Sequence, residues 1–216
     1  MENKSKRIYD NPWLALSTYE ERDKDRFKGR EIDIEKMFGM LQQNEYVVVY
    51  AASGDGKSSL INAGLCPTMR ENGYYPIKIV FSTDEYCGKG LATKNGALDF
   101  DEIILRKIKE SLNNSHLEVI DKFDNISNDN LSHFLWWKLR TNKIQTNDGF
   151  FDYSPVLIFD QFEEILRANW KNDFFNWLET LSSDRCPDQI YGQLSDYEKI
   201  PKQKYFKAIF SLRYEY

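Results

Sequence analysis

Cysteine and histidine are scarce in this chain of 216 residues, with three of the first and two of the second. Cys66, Cys87 and Cys186 are odd in number and stand at no metal-ligand spacing. That argues against a disulfide framework and a zinc site, and points to a reducing, cytoplasmic compartment. His116 and His133 have no carboxylate or cysteine at ligand spacing, so neither a metal centre nor a Ser-His-Asp arrangement is expected of them. Long apolar runs are lacking too. The most apolar stretch, "YVVVYAA", falls far short of the roughly 20 residues that cross a bilayer, and the first residues carry charge where a signal peptide carries an apolar core. No membrane partner is expected. An excess of basic charge is also missing: 29 Lys and Arg against 34 Asp and Glu leave a net charge of −5. Nucleic acid is therefore not an expected partner, and the one basic cluster, "MENKSKR", reads as a solvated tail. Internal repeats and low-complexity segments are absent.

What is present suits one sizeable α/β domain. Apolar residues make up 41% and aromatics 15% of the chain, enough to build a core. Residues 11–43 alternate charged and apolar groups at helical spacing, interrupted at Gly29, which predicts two short helices either side of the turn "FKGRE". Four short apolar runs then read as strands: "EYVVVY" at 45–50, "YPIKIVF" at 75–81, "PVLIFD" at 155–160 and "YFKAIFSLR" at 205–213. Helical spacing fills the intervals, from Lys57 to about Met69, through the middle third at 97–145, and after Asp160. Trp136 and Trp137 are neighbours on one of these helices and point about 100° apart, so they read as core anchors and not as a stacking surface. Residues 183–203 are polar and turn-rich, as a surface insertion is. Residues 1–44 thus form an N-terminal helical segment and 45–216 the core, with a central, mainly parallel sheet flanked by helices.

The chemistry concentrates in "YAASGDGKSSL" at 50–60. A phosphate-binding loop needs glycines because its backbone N–H groups wrap closely around an anion in conformations closed to residues with a Cβ. Against the pattern G-x-x-x-x-G-K-[ST], the chain matches at Gly56, Lys57 and Ser58 and departs at Ala51. In that reading Ser53, Gly54, Asp55, Gly56, Lys57, Ser58 and Ser59 surround the phosphates. Lys57 reaches the β and γ groups, Ser58 places its hydroxyl on Mg²⁺, and the Asp55 carboxylate points to solvent, away from the anion. A second acid is needed at the end of another buried strand, with a group beyond it to position water. "VLIFDQFEE" offers Asp160 for the metal, with Glu163 and Glu164 in the next turn. Asp-x-x-Glu also spells a helix capping box, with Asp160 as N-cap and Glu163 at its third position. Both readings stand on the sequence.

These runs, together with "FKGRE" and the late "FSLRYEY", resemble the nucleotide-binding core of the STAND NTPases, signalling relatives of the AAA+ ATPases, and most of all the novel STAND subgroup. The most specific pieces are Lys57-Ser58-Ser59-Leu60 with Ala63-Gly64-Leu65 and Pro67, and the block Asp160-Gln161-Phe162-Glu163-Glu164. The resemblance implies a P-loop NTPase domain that binds ATP or ADP with Mg²⁺ and hydrolyses slowly as a conformational switch in signalling or bacterial defence. It makes Asp160 the Walker B acid and Glu163 or Glu164 the residue that activates water. It sets Phe27, Gly29 and Arg30 near the adenine and makes Arg213 a sensor at the end of the last strand. Trp13 and Phe27 also read as anchors of the N-terminal segment. The sheet order it implies is 5-1-4-3-2, with the fifth strand and a helical lid missing from this chain. The expected partners are then a nucleotide, further domains of a longer parent chain and, at full length, a nucleotide-dependent oligomer. Two alternatives remain open: a nucleotide-locked scaffold without turnover, and a P-loop phosphotransferase.

Overall fold

Alternating apolar runs and helices build an α/β layer structure. The computed structural model describes residues 17–87, 89, 100–113, 134–141, 143–147, 152–191 and 206–214. Trp13, His116, His133 and the "MENKSKR" tail lie outside these residues. Five strands are described: β1 Tyr46–Ala51, β2 Tyr74–Ile79, β3 Ile144–Gln145, β4 Asp152–Phe159 and β5 Lys207–Arg213. Four of them run parallel in the order β1-β5-β4-β2, the order expected for the four strands read from the sequence. The short β3 pairs antiparallel with β4, so the sheet is mixed but mostly parallel. Helical spacing predicts helix through the middle third, at 97–145. The structure instead gives helices at Phe100–Asn113 and Phe134–Thr141 and then this strand.

Alternation along β4 and β5 divides the core into two layers. Val156, Ile158 and Ile209 face one way, with Val47, against Leu41, Ile61, Leu65 and Met69. Leu157, Phe159, Ala208 and Phe210 face the other way, with Ile77 and Ile79, against the helices after β2 and β4. Because both faces are covered there, β4 reads as an unbroken apolar run from Pro155 to Phe159. Trp136 is buried in this second layer and donates its indole N–H to the Ser183 carbonyl at 2.8 Å, the anchoring role expected of it. β1 pairs only with β5 among the described residues, and Val48 and Tyr50 on it are exposed.

Behind the glycine loop, one helical segment spans residues 57–71. Its middle, Leu60–Leu65, is a π-helix in which Cys66 donates its N–H to the Ile61 carbonyl, and Pro67 explains the irregularity because it has no N–H to continue the ordinary ladder. Gly64 lets the N-terminal helix Glu31–Gln43 come close. A Cβ built there would lie 2.6 Å from Ile34 Cδ1. Of the two short helices read before the sheet, the structure has this one, preceded by a single 3-10 turn at Glu21–Asp23.

Candidate functional site

At the C-terminal ends of β1, β4 and β5 the chain folds a cavity of about 410 Å³. Two hollows of about 550 and 650 Å³ lie beside β2 and the segment that follows it, so size alone does not select the site. Three cations that line them are held in ion pairs: Arg70 with Glu21, Lys78 with Glu20 and Lys107 with Glu85. Of these three hollows among the described residues, the strand-end cavity is the one that combines a glycine loop, a lysine and carboxylates.

The loop itself forms one wall. Gly54 and Gly56 have φ of 87° and 77°, the left-handed region that glycine enters at least cost. Ala51 fills the place where the pattern has glycine because it is still strand: it is the last residue of β1, paired with Arg213, and its carbonyl accepts from the Tyr214 N–H. Asp55 is exposed, as expected, and one of its carboxylate oxygens accepts the Ala52 N–H at 3.1 Å. The Lys57 ammonium donates to the Ala51 and Ala52 carbonyls at 2.8 and 3.0 Å, which folds it back along the loop.

Opposite stands the turn after β4. Asp160 does not cap the helix Phe162–Arg167. Its Oδ2 accepts the Ser58 hydroxyl at 3.2 Å and its Oδ1 accepts the N–H of Gln161. The capping-box reading is therefore corrected: Gln161 takes the N-cap place with φ 56°, and no side chain caps the helix. Such a conformation is costly for a residue with a Cβ, by about 1–3 kcal/mol, and it turns the chain sharply at the strand end. Phe162 secures the turn, its ring centroid 4.8 Å from that of Phe210 and 6.4 Å from that of Phe159. With Phe162 held in the core, Glu163 lines the cavity.

Glu163 is 2% exposed and takes an ion pair from Arg213 Nε at 2.9 Å. Its other oxygen, Oε2, is buried without a hydrogen-bond partner among the described residues. Glu164 does not line the cavity; it pairs with Arg167 at 3.2 Å. Nearby, the Tyr86 hydroxyl is pushed up to about 12, first by burial and then by the Glu164, Glu163, Asp160 and Glu85 carboxylates, so it remains neutral.

Of the residues singled out from sequence, Phe27, Ser53, Gly54, Gly56, Lys57, Ser58, Ser59, Asp160, Glu163 and Arg213 line one cavity. Gly29, Arg30, Asp55 and Glu164 do not. Arg30 instead donates to the Asp55 carbonyl at 3.2 Å and so braces the loop from outside. The cavity also includes residues given no site role from sequence: Ser17, Thr18, Tyr19, Gln161 and Ser211. Tyr19 donates its N–H to the Ser59 hydroxyl and sits 5.6 Å, ring to ring, from Phe27. Ser211 had a legible signal, as the one hydroxyl within the apolar run "AIFSL". The segment at 17–19 had none, because nothing in its composition marks it as a wall.

No group of three or more His, Cys, Asp or Glu among the described residues is arranged to hold a metal. Ser58 and Asp160 fit a Mg²⁺ ion in another way. They bring two hard oxygen donors together, and Mg²⁺ commonly takes one or two protein oxygens and completes its shell with water and substrate phosphate. No described helix is long and apolar enough to cross a membrane.

A family model described as Novel STAND NTPase 1 matches residues 12–199. No curated protein matches.

Proposed function

The chain belongs to the Novel STAND NTPase 1 family, whose name denotes a nucleotide hydrolase, and from that premise we propose that the strand-end cavity binds ATP or ADP with Mg²⁺ and hydrolyses ATP slowly as a signalling switch. One observation carries this reading: Lys57, Ser58, Asp160, Glu163 and Arg213 converge on a single cavity from three separate stretches of chain. Each group suits a part of the substrate. The loop N–H groups and the Lys57 ammonium meet the β and γ phosphates. Ser58 and Asp160 would hold Mg²⁺, which when bound neutralises charge on the phosphate oxygens. Phe27 and Tyr19 offer apolar surface to the base.

In the chemical step a water oxygen attacks the γ phosphorus, the bond to the β-phosphate oxygen breaks, and the proton passes to Glu163. Glu163 is favoured over Glu164 because it alone of the two lines the cavity. A second reading, a scaffold that binds nucleotide without turnover, is favoured by the Arg213–Glu163 pair, which occupies the group that would take that proton. As a switch, the module would act on further domains of a longer chain and on a nucleotide-dependent oligomer.

Purified protein tested in parallel for nucleotide binding and phosphate release separates these readings. Mg²⁺-dependent binding with slow release supports the switch. Binding with no release supports the scaffold, and no binding of either nucleotide overturns both.

A further inference from the structure

The Arg213–Glu163 pair joins the end of one strand to the turn after its neighbour, and its two members are in unequal positions. Glu163 is 2% exposed, while the Arg213 side chain is 42% exposed. A buried carboxylate needs a compensating charge, and here the structure records one such partner. The pair is closest at Arg213 Nε, 2.9 Å from the carboxylate. The guanidinium is a planar fork of five N–H donors that matches phosphate oxygens. Both residues line the cavity that holds Lys57 and Ser58.

We infer that Glu163 and the terminal phosphate of a bound nucleoside triphosphate compete for Arg213, so that Arg213 keeps Glu163 out of use until a triphosphate draws the guanidinium away. This rests on the nucleotide reading above and adds its regulation. A diphosphate presents no γ oxygens and leaves the pair in place. A triphosphate presents three acceptor oxygens that bear more charge than a single carboxylate, and the guanidinium moves to them. Glu163 then loses its partner and becomes available to the attacking water. The same residue that reads the third phosphate thereby licenses the group that removes it.

The test is the ratio of affinities for a non-hydrolysable ATP analogue and for ADP, measured by calorimetry with Mg²⁺ in the full chain and its variants. Glu163→Gln removes the competing charge and keeps the shape, so the ratio should rise by about tenfold or more, the value of one charge-assisted hydrogen bond. Arg213→Ala should lower the ratio. Because that variant strands a buried carboxylate and can fail to fold, Glu163→Gln/Arg213→Ala is measured beside Glu163→Gln: once Arg213 is gone, removing the Glu163 charge should produce none of the rise. A ratio that rises equally in the presence and absence of Arg213 reports general charge repulsion and overturns the competition. An unchanged ratio in Glu163→Gln, with ADP still bound by the parent chain, overturns it while leaving the nucleotide reading intact. Failure of the parent chain to bind either nucleotide overturns both.

Discussion

Ser58 donates its hydroxyl to Asp160 Oδ2 at 3.2 Å across 102 residues of chain, bringing the glycine loop and the end of β4 into direct contact. These two oxygens are the ones proposed for Mg²⁺. Asp160→Asn or Ser58→Ala should abolish the part of nucleotide affinity that depends on Mg²⁺ and leave the part measured in chelator. The expected loss is about 1.5–3 kcal/mol, or roughly 10- to 150-fold, typical of an interaction with a charged group. Titrations with and without Mg²⁺ check it, and equal losses in both would place these residues outside the metal site.

The two glutamates after Asp160 are neighbours on one helix but turn to different partners, Glu163 to Arg213 and Glu164 to Arg167. Glu163→Gln should stop phosphate release while nucleotide still binds, because an amide keeps the shape but takes no proton. Glu164→Gln breaks only a partly exposed pair with Arg167, worth at most about 1 kcal/mol, and should leave release within about twofold. Release assays on the two variants decide the assignment; the reverse pattern would move the base to Glu164.

Gly64 is a packing requirement. With an added Cβ 2.6 Å from Ile34 Cδ1 and 2.7 Å from its Cγ1, Gly64→Ala should destabilise the chain by about 1–3 kcal/mol, the usual cost of overpacking. Ile34→Val deletes the first of these contacts and should restore part of the loss in the double variant. Thermal melts of the three variants test this, and additive losses would contradict it.

Tyr86 sets an alkaline limit. Its hydroxyl is buried without a hydrogen-bond partner among the described residues and is raised from an ordinary 10 to about 12. A phenol raised on folding contributes stability that is fully present below about pH 10 and is lost as pH rises toward about 12. The parent chain should therefore lose melting temperature more steeply over this window than Tyr86→Phe does. Parallel curves for the two would refute the shift.

Much of this was legible in sequence. The four parallel strands stood out because strands covered on both faces must be apolar throughout, and the loop because its glycines and lysine sit between such a strand and a helix. Less visible were features created by distant contacts. Nothing local marks β3, only two residues long and defined by its partner Tyr153 and Asp152. Asp160-x-x-Glu163 spelled a capping box, yet the left-handed Gln161 sends the two carboxylates to different partners, Ser58 and Arg213. Arg30 is expected near the base together with Gly29, but from the N-cap position before the helix Glu31–Gln43 it donates to the Asp55 carbonyl of the loop.

The central claim, that residues 53–59 cradle the phosphates of a nucleotide, is tested most directly by calorimetric titration of ATP and ADP into the parent chain and Lys57→Ala. Removal of the ammonium that now rests on the Ala51 and Ala52 carbonyls should abolish measurable ATP binding while the melting temperature stays close to that of the parent. Undiminished ATP binding by a folded Lys57→Ala variant would contradict the account.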